Sequence, residues 1–237
     1  MSGVEKTDGK TFRWKGEYHE DMNIAHTLDT QLNVFENFNP EIPRFLKDVD
    51  YLFLANIDPD LQISVLNQID SPKLVACDTM NFWIEGKNDS LMNIVNLIDI
   101  LIINDAELCS LAKDKNLLNA AKKVRDLGPS TLVVKRGEFG AILFHEEEIF
   151  AVPAFPIKNV IDPTGAGDTF AGGFMGFLTL KGISPNNLRN AVIYGSVMAS
   201  FNVQSLSFDR LKSLEKVEIS RRYEEFSSLL HYDKVQV

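Results

Sequence analysis

Four short runs of consecutive apolar residues punctuate the middle of the chain: 51–55 (YLFLA), 73–77 (KLVAC), 100–103 (ILII) and 131–134 (TLVV). Runs of this length with little polar interruption predict strands buried on both faces. Between them the apolar positions recur at helical spacing. A helix is predicted from Asp58-Pro59 to Ile69, and others over 91–97, 105–112 and 117–127, the last stopped by Gly128-Pro129. Residues 140–144 and 148–152 predict a hairpin. Beyond Asp162 the pattern is helical: 168–180 behind a glycine-rich turn, then 185–202 with Leu188, Val192, Val197 and Phe201 on one stripe, then one or two closing helices over 211–230.

The front of the chain differs. Residues 10–18 (KTFRWKGEY) alternate, with Phe12, Trp14 and Gly16 on one side and Thr11, Arg13 and Lys15 on the other, which predicts a two-sided strand. The stretch 21–43 is polar and predicts irregular chain with one extended piece near 32–35. Residues 1–9 read as a disordered lead-in. Apolar strands alternating with amphipathic helices imply βαβ units, hence an α/β/α sandwich around a mostly parallel sheet. With no repeat, low-complexity tract or linker, residues 1–237 read as one domain.

Composition narrows the function classes. The chain has 24 Lys and Arg against 33 Asp and Glu, a net charge of −9. That balance argues against nucleic-acid or anionic-membrane partners while leaving room for a local cationic pocket. Four scattered histidines and two cysteines, Cys77 and Cys109, have no metal-ligand spacing. No apolar run reaches the roughly 18 residues of a membrane span, and the polar start MSGVEKTDGK lacks the apolar region of a signal peptide. A soluble, cytoplasmic protein is expected.

The chemistry concentrates in 161–176, IDPTGAGDTFAGGFMG. Gly165, Ala166 and Gly167 let the backbone turn tightly and approach a ligand closely. Their N–H groups fall at the start of a helix, where unsatisfied donors and the helix dipole favour an anion. A carboxylate beside such a nest repels the anion, so Asp168 needs a reason to be there. One is proton abstraction from an attacking hydroxyl during phosphoryl transfer; the other is helix capping.

The segment DPTGAGDTFAGGF resembles the C-terminal signature of the PfkB, or ribokinase-like, carbohydrate kinases, and the resemblance runs from about Gly9 to Phe226. It implies that Asp168 is the catalytic base, that Gly165, Ala166 and Gly167 form the anion hole, and that Asp162 and Thr164 lie where some relatives bind a monovalent cation such as K⁺. Asn104-Asp105-Ala106-Glu107, after the ILII run, is similar to the family's NxxE motif. By that resemblance Asn104 and Glu107 organise ATP phosphates and a hydrated Mg²⁺, which is often gripped through its waters. On the residues alone, Asn104 could simply end a strand and Glu107 lie on a solvated helix face. Lys135-Arg136-Gly137, after TLVV, resembles the nucleotide-binding turn, placing Lys135 and Gly137 along the phosphates or ribose; a hairpin entry with a surface lysine is the plainer reading. All three motifs follow predicted strands, where open α/β sheets bind ligands. Fainter signals are Asp78-Thr79-Met80-Asn81, where relatives place substrate- or phosphate-side contacts and a plain turn is the alternative, and Asn202, either near the adenine or a helix cap. Residues 10–36 resemble the strand region that returns from the substrate lid, with Arg13 and Trp14 toward substrate or on an exposed edge. Lid strands of this family often pair between subunits, so a homodimer is an expectation.

The chain departs from the family at its front. Relatives begin with a strand bearing a substrate-contacting Asp and then a Gly-Gly-x-x-x-Asn segment, and neither is found in the sequence. The expectation is a truncated member, about the C-terminal two-thirds of the fold, lacking the N-terminal strands and part of the lid. The expected function is an ATP-dependent kinase acting on a sugar or nucleoside hydroxyl, and the alternative is a non-catalytic nucleotide-binding relic. A dinucleotide-binding GxGxxxA reading of Gly165-Ala166-Gly167…Ala171 fails because the glycines come late and helices follow. There is no GxxxxGK[ST] segment, and Gly195-Ser196 lacks the second glycine of a hydrolase elbow.

Overall fold

Alternation inside each apolar run divides the molecule into layers. In strand β5 (Ile100–Asn104), Ile100 and Ile102 face one core while Leu101 and Ile103 face another, as successive side chains of a strand must. The same split runs through β4 (Leu74–Asp78), where Leu74 and Ala76 oppose Val75 and Cys77, and through β6 (Thr131–Lys135), where Val133 opposes Leu132 and Val134. A sheet apolar on both faces demands helices on both. The computed structural model, which describes residues 6–18, 25–231 and 233, shows that arrangement. Residues 1–5 of the lead-in, 21–24 of the polar stretch and the last four residues, 234–237, lie outside the described residues.

The sheet has six strands in the order β3 (Tyr51–Leu54), β4, β5, β6, β7 (Ala141–His145) and β8 (Glu148–Val152). The first four are parallel, and β7 and β8 return as the expected hairpin, antiparallel to their neighbours. One face is covered by α1 (Pro59–Leu66), α2 (Asn81–Gly86), α3 (Asn88–Val95), α4 (Asp105–Ala112) and α5 (Leu117–Arg125). The other carries α6 (Ala166–Lys181), α7 (Pro185–Asn202) and α9 (Lys216–Leu229), with the short α8 (Asp209–Lys212) between the last two. Phe174, Phe201 and Phe226 are fully buried in that second core. Among the described residues no helix is long and apolar enough to cross a membrane.

Three expectations are corrected. The stretch read as irregular contains β2 (Ala25–Gln31), which pairs antiparallel with β1 (Arg13–Tyr18) in a separate two-stranded sheet. Its sequence, AHTLDTQ, has little apolar alternation; cross-strand pairing holds it, with Trp14 Nε1 donating to Thr27 Oγ1 at 3.0 Å. The piece near 32–35 is a 3₁₀ turn, Asn33–Asn37, not extended chain. Residues 81–86, for which no helix was expected, form α2, a single short turn-and-a-half behind Asp78.

Helix α7 carries the residues that later line and brace the site, and its start is built by a side chain: Ser184 Oγ accepts from the Asn187 N–H at 3.1 Å, with Pro185 in the first turn. Ser184→Ala is expected to cost about 1 kcal/mol and to lower the thermal midpoint by about 2–4 °C. An unchanged midpoint would show that the cap adds nothing.

Candidate active site

Parallel strands bring Asp78, Asn104 and Lys135 to one edge of the sheet, at the C-terminal ends of β4, β5 and β6. Asn104 and Lys135 are direct register partners. The signature loop enters from the opposite layer and meets them. Gly165 turns with φ +80°, a left-handed conformation that favours glycine, and starts α6 at Ala166, two residues earlier than the periodicity predicted. Gly167 then comes so close to Lys135 that a Cβ on it would lie 3.2 Å from Lys135 Nζ. The lysine read as a surface residue in the plainer reading is therefore only 18% exposed along its side chain, and it is paired with Asp78 Oδ2 at 2.9 Å.

The loop is held from behind. Asn202, the last residue of α7, is buried; its Nδ2 donates to the Thr164 carbonyl at 2.9 Å and its Oδ1 accepts from Thr169 Oγ1 at 3.1 Å. Both ends of the amide are spent on fixing the turn, so the structure places Asn202 at the back of the loop and not on the cavity wall. Asp162 Oδ1 accepts from the Thr164 N–H at 2.9 Å and Oδ2 from the Ser207 N–H at 3.4 Å. Burial pushes the Asp162 carboxyl up, but these hydrogen bonds together outweigh it and hold the group below its ordinary range. Thr164 Oγ1 also meets the Tyr18 hydroxyl at 3.1 Å, so the β1–β2 hairpin reaches the signature loop. Sequence reasoning missed Tyr18. Its signal was the continuation of the Trp14, Gly16 stripe by one more step, and those three residues form the half-buried side of β1. Arg13 is on the exposed side.

Asn104 and Glu107 form a reciprocal capping box on α4: Asn104 Oδ1 accepts from the Glu107 N–H at 2.8 Å, and Glu107 Oε2 from the Asn104 N–H at 3.0 Å. The plainer sequence reading put Glu107 on a solvated face; it is in fact buried. Burial, aided by the charge of Asp78 and opposed by the Asn104 N–H and the Lys135 ammonium, pushes its carboxyl up to about 7. The folded chain thus holds a proton that the unfolded chain releases near its ordinary value of 4.5. Its contribution to stability is full below that value and is lost as pH rises toward 7, on the order of 3 kcal/mol at the upper limit. Glu107→Gln, neutral throughout and still able to accept from Asn104, should flatten that decline. Urea unfolding at pH 5 and pH 8 checks it, and equal pH slopes in both proteins would refute it.

Beside the loop lies a cavity of about 940 Å³. Lys135, Ala166 and Gly167 line one part of it; Phe139, Phe155 and Phe170 are among its apolar walls, and Gly137 and Gly140 also border it. A slot with aromatic walls and small residues, ending at a cation and a helix start, suits a flat base joined to an anionic tail. Asp168 is exposed in the first turn of α6, outside the cavity lining, and its charge reaches buried Asp78 across the same sheet edge. The carboxylate therefore stands at the same sheet edge as the other two motifs. Of the site residues read from the sequence, Gly137, Lys135, Ala166 and Gly167 border one cavity with Asp168 next to it, whereas Asn104, Glu107, Asp162, Thr164 and Asn202 stand around it as supports. Among the described residues no group of three His, Cys, Asp or Glu side chains is placed to hold a metal ion. Two buried acids, Asp78 and Glu107, beside the Lys135 ammonium suit Mg²⁺ held mainly through its own waters and a nucleotide's phosphates.

The sequence profile of the family described as pfkB family carbohydrate kinase matches residues 27–211. A cytidine kinase of Thermococcus kodakarensis is 29% identical over 180 residues, which is 74% of this chain and 64% of that protein. The chain thus spans less than two thirds of the length of that curated relative. Among solved structures, the nucleoside kinase of Methanocaldococcus jannaschii superposes with a TM-score of 0.71 at 20% identity, covering 92% of this chain and 70% of the other. A fructokinase from Vibrio cholerae O395, in a form binding fructose, ADP and calcium, gives 0.74 at 15% identity, covering 92% and 75%. At these identities the superpositions establish the fold: a ribokinase-like three-layer sandwich.

Proposed function

The chain belongs to the pfkB family of carbohydrate kinases, and on that premise we propose that it transfers the γ-phosphoryl group of ATP to a hydroxyl of a sugar or nucleoside, with Asp168 as the base. One observation carries the reading. Ala166 and Gly167 of the signature turn and the Lys135 ammonium line the same part of a cavity large enough for a nucleotide, and a carboxylate stands one residue further along the helix. A non-catalytic relic has less support, because the relatives described above are all kinases.

The geometry supports a role for each residue. The apolar walls take the base, and Lys135 and Gly137 lie toward the phosphates. The Ala166 N–H closes the turn on the Pro163 carbonyl at 3.1 Å, and the loop amides at Gly165 and Gly167 donate to the oxygens of the phosphoryl group in flight, stabilising charge that develops only in the transition state. Asp168, exposed and unencumbered by the cavity wall, takes the proton of the attacking hydroxyl. Asn202 and Asp162 fix the loop's shape, and Asp162, kept ionised by its hydrogen bonds, suits a monovalent cation such as K⁺ on the loop's outer side. Glu107 and Asn104 are the chain's groups that would hold the waters of a nucleotide-bound Mg²⁺, which would supply positive charge against the phosphates. Titration calorimetry with ATP–Mg²⁺ and an ADP-release assay against sugars and nucleosides test the reading. Failure to bind ATP would end it, and binding without release for any acceptor would leave a nucleotide-binding protein.

A further inference from the structure

We infer that Asp78 is the positioning residue for the phosphate-facing lysine: it fixes the Lys135 ammonium against the Gly165–Gly167 turn, making that ammonium part of the anion hole. The inference rests on the nucleotide-site reading above and gives Asp78, only part of a faint signal in the sequence, a specific role in it.

The Asp78 side chain is 5% exposed and that of Lys135 18%, at 2.9 Å separation. Charges this buried persist only when paired and further hydrogen-bonded. Asp78 is itself immobilised. Its Oδ1 accepts from the Thr79 N–H at 2.8 Å, and its main-chain carbonyl accepts from Gln62 Nε2 at 3.0 Å. Gln62, also buried, donates in addition to Ala55 O at 2.9 Å, tying together the ends of β3 and β4. A rigid carboxylate therefore holds one N–H of a lysine whose stem would otherwise be free to move. The ammonium so held sits 3.2 Å from the point where a Gly167 Cβ would be, at the floor of the turn.

Two effects of Asp78 on a bound phosphate oppose each other. Its charge repels the phosphate, and its grip aims the cation. Aim dominates here, because two other carboxylates interact with this cluster: Glu107 with both Lys135 and Asp78, and Asp168 with Asp78. An ammonium released by Asp78 would turn toward Glu107 and away from the nest. The sequence signal was a charged residue closing a strand that is buried at every position.

Displacement of a fluorescent ATP analogue from the full chain by ATP and by adenosine tests this. Asp78→Asn is expected to weaken ATP about tenfold to a hundredfold and adenosine, which has no phosphate, by less than about threefold. Lys135→Met should show a comparable ATP loss, and Asp78→Asn combined with Lys135→Met should be no worse than Lys135→Met alone, since no ammonium remains to be aimed. Tighter ATP binding in Asp78→Asn, equal losses for ATP and adenosine, or a double variant with the product of the single losses would each overturn the assignment. If Asp78→Asn leaves its buried ammonium unpaired and fails to fold, the double variant, which buries neither charge, is compared with Lys135→Met: equality supports the role and a further loss refutes it. A wild-type chain that takes up neither the analogue nor ATP removes the kinase reading and this inference together. Intact ATP binding in Asp78→Asn removes the inference alone.

Discussion

Asp168→Asn is expected to lower phosphoryl-transfer turnover by about 10²–10⁴, the range typical of losing a positioned general base, while ATP affinity stays the same or tightens slightly. The two halves of that expectation come from where the side chain sits. Asp168 is exposed and outside the cavity lining, so the nucleotide loses no contact. The substitution also removes a negative charge beside the place where the γ-phosphate would lie, which favours the bound anion. Asparagine keeps the size and the hydrogen-bonding reach of the carboxylate, so α6 should start as before, with at most about 0.3–1 kcal/mol lost from the helix-dipole interaction of an acid in the first turn. What asparagine cannot do is accept the proton of the attacking hydroxyl. ADP release measured with the acceptor found in the panel, beside an ATP titration of the same variant, separates the two steps. Near-normal turnover would exclude Asp168 as the base; lost turnover with lost ATP binding would mean that the residue shapes the loop instead.

The sheet was legible in the sequence because burial on both faces leaves apolar runs that few other structures produce. Runs 51–55, 73–77, 100–103 and 131–134 became β3 to β6 within a residue or two. β2 was not legible, since AHTLDTQ has little apolar alternation and forms by pairing with β1. The Gly165–Gly167 turn was legible because its small residues answer a backbone requirement, a positive φ at Gly165 and close approach at Gly167, that the sequence states directly. Asn104 and Glu107 were legible as a motif but not as a geometry. The Asn-x-x-Glu spacing is also that of a capping box, and the structure uses both side chains that way while burying the acid. The partnership of Asp78 with Lys135 was invisible, being 57 residues apart along the chain and joined only when β4 and β6 come to flank β5. Asn202 illustrates the same limit: its position at the end of α7 was read correctly, but which loop its amide would clamp depends on how α6 and α7 pack.

Gly167→Val is expected to reduce kcat/KM for ATP by at least about 10², the scale of removing one oxyanion-type donor, with Gly167→Ala losing only several-fold. The grading is the informative part. Gly167 sits at an ordinary helical φ, unlike Gly165, so a side chain strains no backbone there. The cost comes from space alone. A lone Cβ meets Lys135 Nζ at 3.2 Å and its Cδ and Cε at 3.9 Å, contacts that a lysine tip relieves by moving a few tenths of an ångström. Valine adds two methyl groups to the same pocket, and Lys135 cannot retreat far while Asp78 holds it at 2.9 Å. The methyls must therefore occupy the volume where phosphate oxygens would meet the loop amides, or drive the ammonium off its carboxylate. Either way the affinity for ATP should fall more than that for adenosine, and thermal unfolding should move little, because the site opens to the cavity and not into the packed α6–α7 core. Gly165→Ala should behave differently, losing about 1–2 kcal/mol of stability from the left-handed backbone before any effect on nucleotide. If valine at 167 left ATP kinetics untouched, the turn would not be where the phosphoryl group is held, and the role of Asp168 beside it would lose its physical basis.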